Sequence, residues 1–280
     1  MMETMYKLIA CDLDETLLTT TDPHVSKVNA DAVKKLRPLG VKFVPATGRN
    51  FLTVQETLQE LGLVDLKDEY VISLNGAILS ENRNNRILSF QGIAFDLVKL
   101  IYERSKNYDV GLHVYTDTET YVKDLPEYEK EILNDRNLNF IEFEDIEEFR
   151  DRNLAKILYV NQDYDYLKRV EQDFADIRDF VDISYSSNRY FEFNAKGINK
   201  GNALIRLCEI LQIDRSQVIA IGDNFNDKTM IEAAGLGIGV ANTIEGMKKY
   251  CDAITENDCQ NGAVAEVIEK YILNQTGEEK

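Results

Sequence analysis

Histidine and cysteine are scarce in this chain of 280 residues, with two of the former and four of the latter. Cys11, Cys208, Cys251 and Cys259 have neither Cys-x-x-Cys spacing nor histidines near them, which argues against a zinc site. Reduced, mostly buried thiols are expected instead. No apolar run approaches the ~20 residues of a membrane-spanning helix. The opening MMETMYKLIA lacks the basic start and long apolar stretch of a signal peptide, so a cytoplasmic protein is expected. Basic residues are also in deficit, 32 against 49 acidic ones, for a net charge of −17. That charge argues against nucleic-acid backbones and anionic membranes as main partners. A small phosphorylated molecule remains admissible, because it needs only a local positive centre, which a metal ion can supply.

At 44% hydrophobic and 29% charged residues, the chain has enough apolar material for a packed core. Strand-like and helix-like segments alternate from the start: YKLIACDL, SKVNADAVKKLRPLG, VKFVPAT, a helix over about 51–61, then YVISLN. Such alternation predicts βαβ units on a parallel sheet. The texture changes over about 83–190, where longer helices (AFDLVKLIYERSKNY, YDYLKRVEQDFADI) mix with exposed-looking strands (GLHVYT, AKILYVN, YFEFNA), and the first texture returns from Lys200. The expected fold is α/β, a doubly wound parallel-sheet core over residues 1–82 and 195–280, interrupted by an inserted α+β domain over 83–194.

Four short stretches fall at or just past the expected carboxyl ends of strands, the edge where open α/β sheets bind ligands. They are DLDET (Asp12–Thr16), ATGR (Ala46–Arg49), NKG (Asn199–Gly201) and GDNFND (Gly222–Asp227). Taken singly, each has an ordinary explanation. An Asp-x-Asp can be a turn or a cap, Thr47 a helix N-cap, Arg49 a surface or helix-start residue, and Lys200 a solvated charge. Taken together they suggest more. The strand LIAC delivers Asp12 and Asp14, and VIAIG delivers Asp223 and then Asp227. Charged groups are seldom buried unless paired or bound to a metal, and oxygen-only ligands suit Mg²⁺ better than zinc. Thr47 with the N–H groups behind it could cradle an anion. Gly197 and Gly201 bracket Lys200, as where a backbone bends close to a site.

In this order and on these elements, the four stretches resemble the haloacid dehalogenase-type phosphatase superfamily. The long insertion resembles the α/β (C2-type) cap of its Cof-type branch, and SLNGA (73–77), VANT (240–243) and TENDCQNGAVAEVI (255–268) also resemble Cof-type segments. The resemblance implies a Mg²⁺-dependent phosphatase of small phosphorylated metabolites, such as sugar phosphates or phosphorylated cofactors, acting through an aspartyl phosphate. Asp12 would be the nucleophile and Asp14 the general acid and base, with Thr16 orienting Asp14. Thr47, Gly48, Lys200 and Asn226 would hold phosphate or substrate. Asp12, the backbone carbonyl of Asp14, Asp223 and Asp227 would hold the metal.

Glu15, where many relatives carry Gly or Asp, departs from that pattern. Two other readings share the motifs: a phosphohexomutase-like phosphotransferase and a non-catalytic phosphometabolite sensor. Substrate choice is expected in the cap, with His113, Tyr115 and Arg189 as candidates.

Overall fold

The computed structural model describes residues 6–19, 24–135 and 138–274. The chain divides into two compact units, 1–89 with 199–280, and 90–198.

In the first unit, strands β1 (Leu8–Cys11), β2 (Lys42–Pro45), β3 (Tyr70–Ser73), β4 (Ile78–Glu81) and β5 (Arg86–Phe90) come from the amino-terminal segment, β5 ending at the unit boundary. The second unit supplies β6 (Gly111–Thr116), β7 (Thr120–Lys123), β8 (Ile141–Glu142), β9 (Leu154–Val160), β10 (Val181–Ser186) and β11 (Tyr190–Ala195). Strands β12 (Val218–Gly222), β13 (Leu236–Gly239) and β14 (Ala253–Ile254) return to the first. The helices are α1 (Lys27–Lys34), α2 (Gln55–Leu61), α3 (Phe95–Ser105), α4 (Glu127–Asp135), α5 (Tyr164–Val170), α6 (Lys200–Leu211), α7 (Lys228–Ala233), α8 (Glu245–Lys248) and α9 (Ala263–Ile268).

The five-stranded sheet of the first unit runs β14-β13-β12-β1-β2, all parallel. The isolated parallel bridge Ala46↔Ile72 carries it toward β3. Strand order reverses between β1 and β12, so the crevice beyond their carboxyl ends is the topological switch point. Both faces of these strands are buried, as their continuous apolar runs require. Leu8, Ala10, Val218 and Ala220 pack with Leu204 and Leu207 of α6, Met230 of α7 and Met247 of α8. Ile9, Cys11, Ile219 and Ile221 alternate to the opposite face and are fully buried.

The inserted unit is built on a six-stranded sheet, β10-β11-β9-β6-β7-β8, antiparallel except for β7-β8. One face packs Val114, Ile157, Tyr159, Phe191 and Phe193 against Val98, Ile101, Leu167 and Phe174. The strands expected to look exposed are instead buried, β9 along its whole length. On the second face polar side chains pair with one another rather than with solvent: Lys156 donates to Glu192 at 2.5 Å.

The unit boundaries fall later than the expected 83 and 195, at 89/90 and 198/199. The first moves because β4 and β5 form one three-stranded sheet with β3, which keeps residues 83–89 in the first unit. The second moves because Asn199 opens α6, accepting a hydrogen bond from the Asn202 N–H at 2.9 Å.

Candidate active site

Strand pairing places the acidic stretches side by side. Cys11 lies opposite Ile221, and the Asp12 N–H donates to the Ile221 carbonyl at 2.9 Å, so Asp12 and Asp223 leave neighbouring strands at the switch point. Asp227 is brought back to them by a tight turn, with its Oδ2 accepting from the N–H groups of Asp223 at 3.0 Å and Asn224 at 3.2 Å. Gly222 makes that turn possible, because a Cβ there would sit 2.6 Å from Asp227 Oδ2. The carboxylates of Asp12, Asp223 and Asp227 are all buried and offer oxygens within 4.8 Å of one another.

Lys200, the first residue of α6, is fully buried and reaches the same point. Its Nζ donates to Asp12 Oδ1 at 2.5 Å and Asp227 Oδ1 at 2.6 Å. Gly201 lets α6 come this close to α7, since a Cβ there would lie 2.2 Å from the Thr229 carbonyl. Burial alone would lower the lysine's pKa, but Asp12 and Asp227 outweigh it and hold Lys200 above its ordinary value.

Three carboxylates against one ammonium leave the cluster short of positive charge. Burial, and then the neighbouring Asp227, push Asp12 up to about 7. Burial, then Asp227 and Asp12, push Asp223 up to about 9. An all-oxygen, carboxylate-rich set with unbalanced negative charge fits a hard divalent cation such as Mg²⁺. Cys11, beside Asp12, is no rival nucleophile: burial, with Asp12 adding, raises its thiol well above the ordinary range.

Asp14 stands apart from this group. It is exposed, and Arg49 grips its carboxylate through both Nε, at 2.9 Å, and Nη2. This pairing joins residues 35 apart in sequence and was not read from ATGR. Thr16, expected to orient Asp14, is buried and donates instead to Asp223 Oδ1 at 3.0 Å. The chain turns sharply just after Asp14, at Glu15, whose φ is 64.

Thr47 emerges beside Asp12, because the Ala46 N–H donates to the Cys11 carbonyl at 2.8 Å. Its hydroxyl accepts from the Arg49 N–H at 3.1 Å, and the N-cap of the following helical segment is Asn50, not Thr47. A Cβ on Gly48 would lie 3.1 Å from Asn75 Oδ1. Asn226 is half-buried in the short turn between Asp223 and Asp227. In the second unit, His113 Nδ1 lies 3.2 Å from the Tyr115 hydroxyl and His113 Nε2 3.6 Å from Glu129 Oε1, while Arg189 Nε donates to Glu129 Oε2 at 3.0 Å. Burial first, then Lys156 and Arg189, lowers His113 to about 3. The three cap candidates therefore form one cluster around Glu129.

Comparison with known proteins supports the same grouping. A family model for haloacid dehalogenase-like hydrolases matches residues 9–268. YxeH of Bacillus subtilis is 30% identical over 274 residues, covering 96% of this chain and 99% of that protein. The 5-amino-6-(5-phospho-D-ribitylamino)uracil phosphatase YcsE of Bacillus subtilis is 27% identical, covering 95% and 96%. A solved haloacid dehalogenase-like hydrolase from Bacteroides thetaiotaomicron has a TM-score of 0.83 at 27% identity, covering 95% of this chain and 99% of that one. With its parallel core, its inserted unit and a match over nearly its whole length, this chain belongs to the haloacid dehalogenase-like hydrolases, in their Cof-type branch.

Proposed function

We propose that this protein is a Mg²⁺-dependent phosphatase that hydrolyses phosphate monoesters of small metabolites through an aspartyl phosphate on Asp12. The observation that carries the proposal is the meeting of Asp12, Asp223 and Asp227 around Lys200 at the ends of β1 and β12. YcsE, named for its action on a phosphorylated small molecule, lends support to the substrate class.

Asp12, Asp223, Asp227 and the backbone carbonyl of Asp14 would hold the cation. When bound, Mg²⁺ supplies positive charge against the dianionic ester and the carboxylates. The rest follows from the chain itself. Lys200 neutralises part of the charge on Asp12 and offers further N–H donors to phosphoryl oxygens, as Thr47 and the Gly48 N–H would from the other side. An Asp12 carboxylate oxygen attacks phosphorus, and the bond from phosphorus to the alcohol oxygen breaks. The Asp14 carboxyl delivers a proton to that oxygen. Asp14 then takes a proton from water, whose oxygen attacks the phosphoryl group, releasing inorganic phosphate and restoring Asp12. Arg49 makes one bond to each Asp14 oxygen, which leaves a second lone pair on each for the proton.

The test is phosphate release from an aryl phosphate by the full chain, with Mg²⁺ and with a chelator. Release that requires Mg²⁺ is expected. Mg²⁺ binding without any turnover, on this substrate or on a panel of phosphorylated metabolites, would replace the phosphatase by a phosphometabolite sensor. Transfer back to a sugar phosphate in place of release would make it a phosphotransferase.

A further inference from the structure

The stretch VANT has no part in the chemistry above, yet three successive residues of this region reach the backbone of the two acidic loops. Asn242 Nδ2 donates to the Glu15 carbonyl at 2.8 Å. Thr243 Oγ1 donates to the Gly222 carbonyl at 3.3 Å. The Ile244 N–H donates to the Asp223 carbonyl at 3.1 Å. One short segment thus holds both the loop after β1 and the loop after β12. It is itself held from the other side: the Ala241 N–H donates to the Asn257 carbonyl at 3.2 Å and Thr255 Oγ1 at 3.1 Å, and Asn242 Oδ1 accepts from the Cys259 N–H at 2.9 Å.

Glu15 is where such a brace has work to do. At φ 64 it occupies the left-handed region, which is unfavourable for any residue with a Cβ. The peptide plane between Asp14 and Glu15 is rigid, so φ at Glu15 and ψ at Asp14 together set the direction of the Asp14 carbonyl. The carbonyl at the other end of Glu15 is the atom that Asn242 grips.

We propose that Asn242 is a positioning residue for the cation site. By holding the Glu15 carbonyl it maintains the left-handed turn that directs the Asp14 carbonyl, while Thr243 and Ile244 hold the loop bearing Asp223, so that a single segment sets the spacing of the two ligand-bearing loops. The inference rests on the metal reading given above, and its test separates the two. Mg²⁺ alone is titrated by calorimetry into the metal-free full chain, wild type and Asn242→Ala, each also in a Glu15→Gly background.

Wild type is expected to bind, and Asn242→Ala to bind about five- to tenfold more weakly, the loss typical of one hydrogen bond. Asn242 is exposed, so the metal-free melting temperature should barely change. Glycine adopts positive φ without a brace, so in the Glu15→Gly background Asn242→Ala should cost less than about twofold. In steady state, the Mg²⁺ concentration giving half-maximal rate should rise with Asn242→Ala, while kcat at saturating Mg²⁺ stays close to wild type. Asn242→Ala binding within twofold of wild type, or an equal loss in both backgrounds, would overturn the brace. Failure of wild type to bind Mg²⁺ would overturn the metal reading itself, and the inference with it.

Discussion

In the second unit, Lys156 and Glu192, each 3% exposed, meet at 2.5 Å, and the fully buried Glu129 is held by Arg189 at 3.0 Å. In the first unit, Asp12 and Asp227 share one buried lysine, with the carboxylate of Asp223 beside them. Both regions take charge out of water, which is costly unless it is compensated. The inserted unit compensates cation with anion, and the histidine among them is pushed toward neutrality. The core does not: its carboxylates outnumber its ammonium, and burial first, then the neighbouring carboxylates, raises Asp12 and Asp223. A balanced buried cluster can serve structure alone, whereas an unbalanced one at a sheet's switch point is suited to receive a cation and to work on a phosphate.

The sharpest way to break this comparison is at the nucleophile. Asp12→Asn should lower turnover on the order of 10⁴-fold or more while the chain still melts cooperatively, since positioning cannot replace a covalent nucleophile. Near-normal turnover in a verified variant would remove the aspartyl phosphate. Next in size is Asp14→Asn, expected to slow alkyl phosphates by about 10²- to 10⁴-fold. An aryl phosphate, which needs less protonation as it leaves, should slow much less; equal losses on both would count against Asp14 as the acid.

Two substitutions then set the regions directly against each other. Asp223→Ala should weaken Mg²⁺ binding about 100-fold or more, because losing a ligand costs at least what losing its outer support does. Glu192→Gln leaves Lys156 buried without its counter-charge and should destabilise the fold by about 3–5 kcal/mol, with Mg²⁺ affinity unchanged. Calorimetric titration and denaturant melts read the two effects; crossed results would erase the distinction between the units.

Much of the core's arrangement was legible because it is local. Short apolar strands delivering carboxylates, and glycines beside Lys200 and before Asp223, are patterns within ten residues of sequence. Long-range pairings were not legible. Arg49 finds Asp14 across 35 residues, and Thr16 turns to Asp223 across 207. No local pattern signals either partner. Glu129, within the acidic stretch EYEKEILND, is buried, and Arg189 and Tyr190, 60 and 61 residues on, come to meet it. The unit boundary falls a few residues later than expected for a related reason: NGAILSENRNNRILSF marks a change of texture, but pairing with β3 decides which unit owns it.

A further check is the pH dependence of the metal-free protein. An unfolded aspartate ionises near 4, whereas folded Asp12 keeps its proton to about 7 and Asp223 to about 9. Across that window the folded chain binds more protons than the unfolded one, so stability is lost as pH rises from about 4 toward 9. In a chelator, the melting temperature should therefore fall between about pH 5 and pH 9, and the rise on adding Mg²⁺, which favours the ionised carboxylates, should grow over the same range. A flat metal-free profile would mean that the cluster's negative charge is already balanced.

The most direct measurement is calorimetric titration of Mg²⁺ into the metal-free full chain, read beside phosphate release from an aryl phosphate. One binding site is predicted, weakened by Asp223→Ala and preserved in Glu192→Gln, with phosphate release tracking its occupancy. Hydrolysis that proceeds at the same rate in a chelator, with no heat of Mg²⁺ binding, would contradict the claim that the unbalanced carboxylates of the core exist to hold a cation.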